Sequence, residues 1–386
     1  MRALPALCLA VLMPAIALAH GPLPEATALS GDPLGVVRTT HGLLWKGVDW
    51  RWVCPHVFAP AYAGDPVQLP GGRVLVATTQ GVRWSDDGCT WMWSEGIESY
   101  VIQIERDIDG TLWAITQSEV LRSYDDGVLW ESVDAVAEGA SLRAFVRTAD
   151  HWAIAGWLSN AAVVWIGSPG GPWTTTDVPF AVGQLMEPLG LGADGQAWFN
   201  YPMQSIGTVL RISAVGTIEL MAESIGDVAG MMVIDGEHLL ATRDGLFRSQ
   251  DGGIWTAIDD VGLNCVVNHD GSWFGCVDAL ADVGAVGQWS GDHWQTTLQF
   301  ADVAGPMDCP VPTDGSAEAC DEEWKAVQAA FLLRLDPPTV PQEPKEEHKE
   351  EPASSCSLVT GSHKSWWLGL LALAVFRRRH HKARPD

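Results

Sequence analysis

The sequence has few basic residues for its length. Of its 386 residues, 23 are Lys or Arg and 48 are Asp or Glu, which gives a formal net charge of −25. Recognition of nucleic acid phosphates requires a basic surface. Nucleic acid is therefore not expected as a partner, and the acidic balance mainly favours solubility.

Motifs for cofactor, phosphate and metal chemistry are also missing. The chain contains no phosphate-binding glycine loop, no hydroxyl-nucleophile motif and no His-Glu-x-x-His pair. Its cysteines include no Cys-x-x-Cys spacing, which is typical of zinc sites. The sequence thus predicts neither a cofactor nor a metal, and its cysteines favour disulfides over zinc ligation.

Tryptophan, in contrast, is abundant and regularly spaced. Six tryptophans follow one another at steps of 39, 39, 43, 82 and 39 residues, namely Trp52, Trp91, Trp130, Trp173, Trp255 and Trp294. Because 82 is about twice the usual step, one copy has lost its terminal tryptophan. Seven units of roughly 40 residues predict an all-β, seven-bladed β-propeller, with six or eight blades as alternatives.

Each unit carries a short turn motif just before its tryptophan. The fullest copy, Ser123–Trp130, resembles the Asp-box of sialidases, sortilin-type receptors and other BNR-repeat propellers. Asp and Ser side chains can bond nearby backbone groups and Gly can take a positive φ, so these residues are expected to form turns. The residues of the three best copies are Ser85, Asp87, Gly88 and Trp91; Ser123, Asp125, Gly127 and Trp130; and Ser249, Asp251, Gly253 and Trp255.

Sialidase activity does not follow from this resemblance. The family uses a tyrosine nucleophile and an arginine cluster, and its first arginine lies in an Arg-Ile-Pro motif that is absent here. Only four tyrosines occur, and one of them, Tyr124, lies inside a box. The arginines at equivalent repeat positions, Arg83, Arg122, Arg211 and Arg248, are interpreted as repeat residues.

The two ends of the chain carry targeting features. Residues 1–19 read as a secretory signal, with an apolar run and a small-residue cleavage site before His20. The expected order is then an Asp-box propeller at 20–305, a disulfide-stapled closure at 306–335 and a disordered Pro- and Glu-rich stalk at 336–355. The last blade is expected to borrow a closing strand from Val36–Thr40 or Val327–Leu335.

The final segment, 356–386, contains Cys356, a short apolar run predicted to form a transmembrane helix, and an arginine cluster at Arg377, Arg378 and Arg379. This tail resembles the MYXO-CTERM sorting signal, although the glycine expected beside the cysteine is absent. The resemblance implies a sorting protease as a partner, with Cys356 as the anchoring residue and the tail first held in the inner membrane. An ordinary tail anchor is the alternative, and either reading places an exported protein at the bacterial cell surface.

The remaining cysteines are expected to form local disulfides, as export permits. Cys265 and Cys276 lie opposite each other if Asp270-Gly271 forms a two-residue hairpin turn. Cys309 and Cys320 close a short loop. By elimination, Cys54 is expected to pair with Cys89.

The preferred function is non-catalytic binding of a protein or carbohydrate, and the alternative is glycoside hydrolysis. Hydrolysis uses two carboxylates across a groove, but no spacing selects a pair among Asp107, Asp109, Asp194, Asp259 and Asp260. The tryptophans considered as ligand-stacking rings, most of them predicted to be core residues, are Trp45, Trp50, Trp93, Trp157, Trp165, Trp198, Trp273 and Trp289.

Overall fold

A computed structural model describes the chain from residue 24 to residue 332, with gaps. The gaps are 32, 59–63, 108, 135, 149, 179–185, 193, 202–206, 224–225, 235–236, 270–271, 278–283, 292 and 310–315. The predicted signal, stalk and sorting tail, including Cys356 and the arginine cluster, lie outside the described residues. Within the described part, no helix has the length and apolar character needed to cross a bilayer.

The described residues form seven antiparallel sheets of four consecutive strands each. Blade 1 contains β1 (Ala26–Ser30), β2 (Val36–Thr39), β3 (Gly42–Lys46) and β4 (Trp50–Val53), and blade 2 contains β5 (Val67–Gln68), β6 (Val74–Thr78), β7 (Gly81–Ser85) and β8 (Met92–Trp93). Blade 3 contains β9 (Val101–Arg106), β10 (Leu112–Thr116), β11 (Val120–Ser123) and β12 (Glu131–Asp134), and blade 4 contains β13 (Ala140–Arg147), β14 (Trp152–Leu158), β15 (Ala161–Gly167) and β16 (Thr174–Asp177).

Blade 5 contains β17 (Glu187–Leu191), β18 (Ala197–Asn200), β19 (Thr208–Ile212) and β20 (Ile218–Glu223), and blade 6 contains β21 (Val228–Ile234), β22 (Glu237–Thr242), β23 (Gly245–Ser249) and β24 (Thr256–Asp259). Blade 7 contains β25 (Leu263–His269), β26 (Ser272–Val277), β27 (Gly284–Trp289) and β28 (Trp294–Gln299). Two short helices, α1 (Pro55–Phe58) and a 3₁₀ turn (Phe300–Asp302), and the longer α2 (Ser316–Leu332) complete the described elements. The fold is thus a seven-bladed β-propeller.

The hydrophobic core is divided among the interfaces between blades. Second strands are apolar on both faces because a neighbouring blade covers each face, and every residue of β6 is buried. Outer strands are far more exposed, as in β16, where three of four residues are exposed. First strands of successive blades pack on one another, as β13, β17, β21 and β25 do, so they lie nearest the propeller axis.

The seam between blade 7 and blade 1 has no shared strand. β1 belongs to blade 1 and packs against β25 and β26 of blade 7. The expected closing strands therefore have other roles: Val36–Thr39 is the second strand of blade 1, and Val327 belongs to α2. Closure has to come from side-chain packing and from the segment that follows blade 7.

That segment, which we call the clasp (residues 304–309 and 316–332), binds the outer edge of blade 1. Ala304 N–H donates to Trp50 O at 3.0 Å, and Met307 N–H donates to Trp52 O at 2.8 Å. The Trp52 N–H in turn donates to Gly305 O at 2.8 Å, so the clasp extends the blade as a short parallel strand. Helix α2 adds Val327 and Phe331 to the core shared by blades 1 and 7.

The disulfides confirm one expected pair and correct the other two. Cys265 lies directly opposite Cys276 in the β25–β26 hairpin and is bonded to it, as the turn register predicts. The pairs Cys54–Cys89 and Cys309–Cys320 were wrong. Cys54 is bonded to Cys320 and Cys89 to Cys309, because the clasp lies beside β4 and beside the turn that holds Cys89. Spacing along the chain does not reveal such long-range contact.

Removal of the long-range bridges is expected to destabilise the ring. Replacing Cys54 and Cys320 with Ser, or Cys89 and Cys309 with Ser, is expected to cost about 2–5 kcal/mol. Removing both pairs is expected to cost more than the sum, because each bridge shortens the loop that the other closes. Non-reducing thermal unfolding measures the effect.

The Cys265→Ser/Cys276→Ser variant is the control, since its bridge spans only 11 residues and stays within one hairpin. Its loss is expected to be the smallest of the three. Equal losses for all three pairs would contradict a role of the long bridges in closing the seam.

Candidate functional site

Three turns, which we call the Ser–Asp turns, connect the third and fourth strands of blades 2, 3 and 6. In blade 3, Gly127 N–H donates to Ser123 Oγ at 3.1 Å and Leu129 N–H donates to Asp125 Oδ1 at 2.9 Å. Ser123 Oγ–H also donates to Asp125 Oδ1 at 2.8 Å, and Trp130 Nε1–H donates to Gly127 O at 3.1 Å. The aspartate and serine thus bond the backbone of their own turn.

The other two Ser–Asp turns repeat this pattern. Gly88 N–H donates to Ser85 Oγ at 2.9 Å, and Thr90 N–H donates to Asp87 Oδ1 at 2.7 Å. Trp91 Nε1–H donates to Gly88 O at 3.1 Å. The tryptophan after each turn therefore helps to hold the glycine at its centre.

In blade 6 the glycine at the centre of the turn is Gly252 rather than Gly253. Gly252 has a φ of 78° and donates its N–H to Ser249 Oγ at 2.9 Å, as Gly88 and Gly127 do in their turns. Gly253 instead donates to Asp251 Oδ1 at 2.8 Å. Trp255 Nε1–H also differs, since it donates to Met221 O at 3.4 Å.

Although partial burial opposes ionisation of Asp125, hydrogen bonds from Leu129 and Ser123 lower its pKa. Asp125→Ala removes the acceptor of both bonds and is expected to destabilise the protein by about 1–2 kcal/mol. Asp126→Asn is the control, because Asp126 has a φ of 57°, which Asn tolerates. Urea unfolding compares the two variants, and equal losses would contradict the turn role of Asp125.

A second repeated turn lies on the opposite face, between second and third strands. Thr39 Oγ1–H donates to Gly42 O at 3.0 Å, and Thr78 and Thr242 make the same bond at 2.9 Å to Gly81 O and Gly245 O. The sequence signal was available, since Thr-x-x-Gly recurs one repeat apart in blades 1 and 2. It is a structural feature of the hairpins.

The blades also share a row of side chains across their strands. In blade 3 the row is Glu105, Trp113, Arg122 and Glu131, and in blade 5 it is Gly190, Trp198, Arg211 and Glu219. In both rows the arginine is paired with the acid on the outer strand. Arg83, Arg122, Arg211 and Arg248 all lie on third strands, which agrees with their interpretation as repeat residues.

The first-strand end of the row is filled at the interface of blades 3 and 4. Glu105 lies 3.4 Å from Arg147 of blade 4, and Arg147 also contacts Asp107 at 2.9 Å. The Arg147 side chain is only 8% exposed. Beside this ion pair, the Trp113 ring contacts the Trp152 ring of blade 4 with centroids 5.0 Å apart.

The same place is open at the interface of blades 5 and 6. Trp198 contacts the His238 ring of blade 6 at 4.9 Å, as Trp113 contacts Trp152. Gly190 stands where Glu105 does in its row. Val233 is the first-strand neighbour of His238, as Arg147 is of Trp152. A glycine and a valine thus replace the ion pair.

A cavity of about 680 Å³ occupies this place, which we call the blade 5–6 cleft. It opens on the face of the Ser–Asp turns, and strand β25 and β26 of blade 7 complete its wall. Its apolar lining includes Leu191, Met231, Val233, Trp198 and Trp273. Its polar lining includes Asp194, Gln196, Arg211, His238, Asp251 and Asn268.

His238 is held in a neutral form within the cleft. Burial, and then the positive charge of Arg211, lower the pKa of its ring. Its Nδ1 atom is buried and has no hydrogen-bond partner among the described groups. A buried polar atom without a partner carries an energetic penalty that a bound hydroxyl or amide can relieve.

The candidate acids for hydrolysis do not come together as a pair across the cleft. Asp107 contacts Arg147, and Asp109, Asp194 and Asp259 accept backbone N–H groups from Thr111, Gln196 and Val261. Asp260 is exposed at the end of blade 6. Within the described residues, no group of three or more His, Cys, Asp and Glu side chains is arranged to hold a metal ion.

Most of the candidate stacking tryptophans belong to the core. Trp45, Trp50, Trp165 and Trp198 are buried, Trp157, Trp273 and Trp289 are partly buried, and Trp93 is 44% exposed on the outer strand of blade 2. Of these, Trp198 and Trp273 line the cleft. Sequence reasoning singled out neither of them, nor Gly190 and His238, because the cleft is assembled from three blades.

The ion pair next to the cleft's counterpart gives a prediction for pH dependence. Burial raises the pKa of Glu105 to about 7, although Arg147 and a hydrogen bond from Gln103 oppose this effect. Because this folded-state pKa exceeds the model value of 4.5, its stabilising effect is complete below that value and is lost as pH rises through about 7.

Glu105→Gln is therefore expected to show a smaller fall in stability between pH 4.5 and pH 8 than the parent protein. The difference is expected to be on the order of 1–3 kcal/mol by urea unfolding. Glu131→Gln, at the outer end of the same row, is the control. An identical pH profile for the parent and the Glu105 variant would contradict the assignment.

Comparison with known proteins agrees with this architecture. No protein-family model matches the sequence, and no curated protein matches it. Virginiamycin B lyase from Staphylococcus aureus is 12% identical, with a TM-score of 0.43 over 61% of this chain and 83% of that chain. YCF48 bound to the D1 peptide is 14% identical, with a TM-score of 0.48 over 67% of this chain and 90% of that chain.

The extracellular domain of a putative hybrid two-component system from B. thetaiotaomicron is 11% identical, with a TM-score of 0.44 over 63% of this chain and 34% of that chain. At these identities the likenesses concern the fold alone. The molecule is a seven-bladed β-propeller with three disulfides, and those disulfides indicate an exported protein.

Proposed function

We propose that the chain is a non-catalytic binding module at the bacterial cell surface, and that its protein or carbohydrate ligand enters the blade 5–6 cleft. The observation that carries this proposal is the contrast within one repeat frame. Blades 3 and 4 fill the place with Glu105 and Arg147, whereas blades 5 and 6 leave it open with Gly190 and Val233. A fold that needed only stability would fill both.

The size and lining of the cleft support ligand binding. Its volume of about 680 Å³ lies within the range typical of small-ligand pockets. Apolar side chains alternate in its wall with polar ones, and the buried Trp198 ring forms part of it. Such a mixture of apolar surface and a few polar groups gives both affinity and orientation.

Binding is favoured over glycoside hydrolysis by the state of the acids in the cleft. Asp194 accepts hydrogen bonds from the N–H and the side-chain amide of Gln196. Asp251 accepts the N–H groups of Gly253 and Ile254 within its turn. Their positions are fixed by turn structure, and these bonds stabilise the ionised form rather than a proton-donating acid.

The setting of the module rests on the sequence. The Ser–Asp turns support membership of the Asp-box propellers, with BNR-type repeats. The tail, with Cys356 and the cluster Arg377–Arg379, supports a membrane-associated sorting signal that a sorting protease cleaves before the protein is anchored at the surface. In this arrangement the Pro- and Glu-rich stalk holds the propeller away from the envelope.

Filling the cleft tests the proposal. Gly190→Glu places in blade 5 the residue that blade 3 has at this position, and the nearest atom to its added Cβ is the flexible end of Met231 at 3.3 Å. On glycan and peptide arrays, the full-length variant is expected to lose at least tenfold in affinity for the ligand that the parent protein binds. Mass spectrometry of any bound glycan is expected to show no cleavage products.

Gly71→Glu is the matched control, because Gly71 lies in a first-to-second-strand hairpin of another blade with open space around it. It is expected to bind like the parent, and both variants are expected to melt within a few degrees of it. Unchanged binding by a folded Gly190→Glu protein would contradict the proposed site. Cleavage products would contradict the non-catalytic role.

A further inference from the structure

We propose that the ligand of the blade 5–6 cleft is an uncharged saccharide. This inference rests on the proposed binding function and narrows it from protein or carbohydrate to one chemical class. It is carried by three properties of the cleft: the pairing of an aromatic ring with planar polar groups, the absence of uncompensated positive charge in its wall, and the way its wall crosses several sheets.

The ring and the polar groups have the arrangement that a sugar requires. Trp273, partly exposed, lies directly opposite Asn268 in the β25–β26 hairpin. Directly opposed side chains have Cβ atoms about 4.5–5.5 Å apart. A pyranose whose C–H face packs on the indole therefore presents hydroxyl groups to the adjacent amide, and hydroxyl groups can both donate to and accept from it.

Other planar groups face the same space from the neighbouring blades. Gln196 of blade 5 and His238 of blade 6 line the cleft, and the neutral ring of His238 keeps one buried nitrogen without a partner. Amide and neutral imidazole groups offer both donors and acceptors. Hydroxyl groups satisfy either role, whereas a ligand with acceptors alone would leave some of these groups unpaired.

The charge of the wall excludes acidic saccharides. Its one arginine, Arg211, is already paired with Glu219 on the outer strand of the row. Asp194 and Asp251 add negative charge, and the whole chain has a formal net charge of −25. A carboxylate or sulfate entering the cleft would be repelled rather than compensated.

The strand arrangement argues against a peptide. Peptides that add to sheets pair along the edge of one strand. The cleft instead takes its lining from the first strands β17, β21 and β25 of three different sheets. A peptide lying across these three strands has no continuous edge with which to pair.

The test uses the full-length protein with maltotriose, cellotriose and chitotriose as uncharged probes, trigalacturonate as an acidic probe, and pentalysine as a basic peptide. Isothermal titration calorimetry and saturation-transfer NMR report binding. At least one uncharged trisaccharide is expected to bind, and trigalacturonate and pentalysine are expected not to. Trp273→Ala is expected to weaken binding at least tenfold, and Gly190→Glu to abolish it.

Trp93→Ala is the matched control, since Trp93 is 44% exposed but lies in blade 2; it is expected to bind like the parent. Equal binding of trigalacturonate, or failure of all three uncharged probes to bind, overturns the saccharide assignment. Binding of pentalysine alone that Gly190→Glu abolishes also overturns it, while leaving the cleft as a binding site. Binding of an uncharged probe that neither cleft variant changes overturns both this inference and the proposed site.

Discussion

The structure depends on the contact between its first and last blades. A ring of blades is stable only when every interface is formed, because each blade buries its apolar faces on its neighbours. Here all four strands of each blade are consecutive in the chain, so no strand crosses the seam. The clasp compensates by adding backbone hydrogen bonds to β4, two disulfides, and apolar side chains of α2 such as Phe331, which stacks on Phe300 at 4.8 Å.

Closure of the seam allows the rest of the ring to vary locally. The Ser–Asp turns and the threonine hairpins fix the two ends of several blades, so side chains at the first-strand end of a row can change without loss of the sheet. At blades 3 and 4 those positions hold an ion pair, and at blades 5 and 6 they hold Gly190 and Val233. The candidate site is therefore a departure from the repeat, built on a frame that the repeat supplies.

Sequence reasoning recovered the features that depend on local or periodic information. The tryptophan spacing predicted seven blades, and the Asp270-Gly271 turn predicted the Cys265–Cys276 bond. It failed where distant segments meet. Nothing near Cys54 indicates that Cys320 lies beside it, and β1 was missed because Ala26–Ser30 contains no motif of the repeat.

The cleft was missed for a related reason. Its residues are ordinary one by one, and Gly190, His238 and Trp273 stand out only when the cross-strand rows of different blades are compared. Such a comparison needs the strand register, which bulges shift by one residue in several blades. Likewise, the choice between Gly252 and Gly253 depended on a backbone angle that two adjacent glycines do not reveal.

The central claim is that the ring is closed by a clasp which the last part of the chain lays across blades 1 and 2. Mass spectrometry of the unreduced, proteolysed protein tests it most directly, because disulfide-linked peptides identify which segments meet. The account predicts linked peptides that contain Cys54 with Cys320 and Cys89 with Cys309. Peptides that link Cys54 with Cys89 and Cys309 with Cys320 would contradict it, since the seam would then lack its covalent closure.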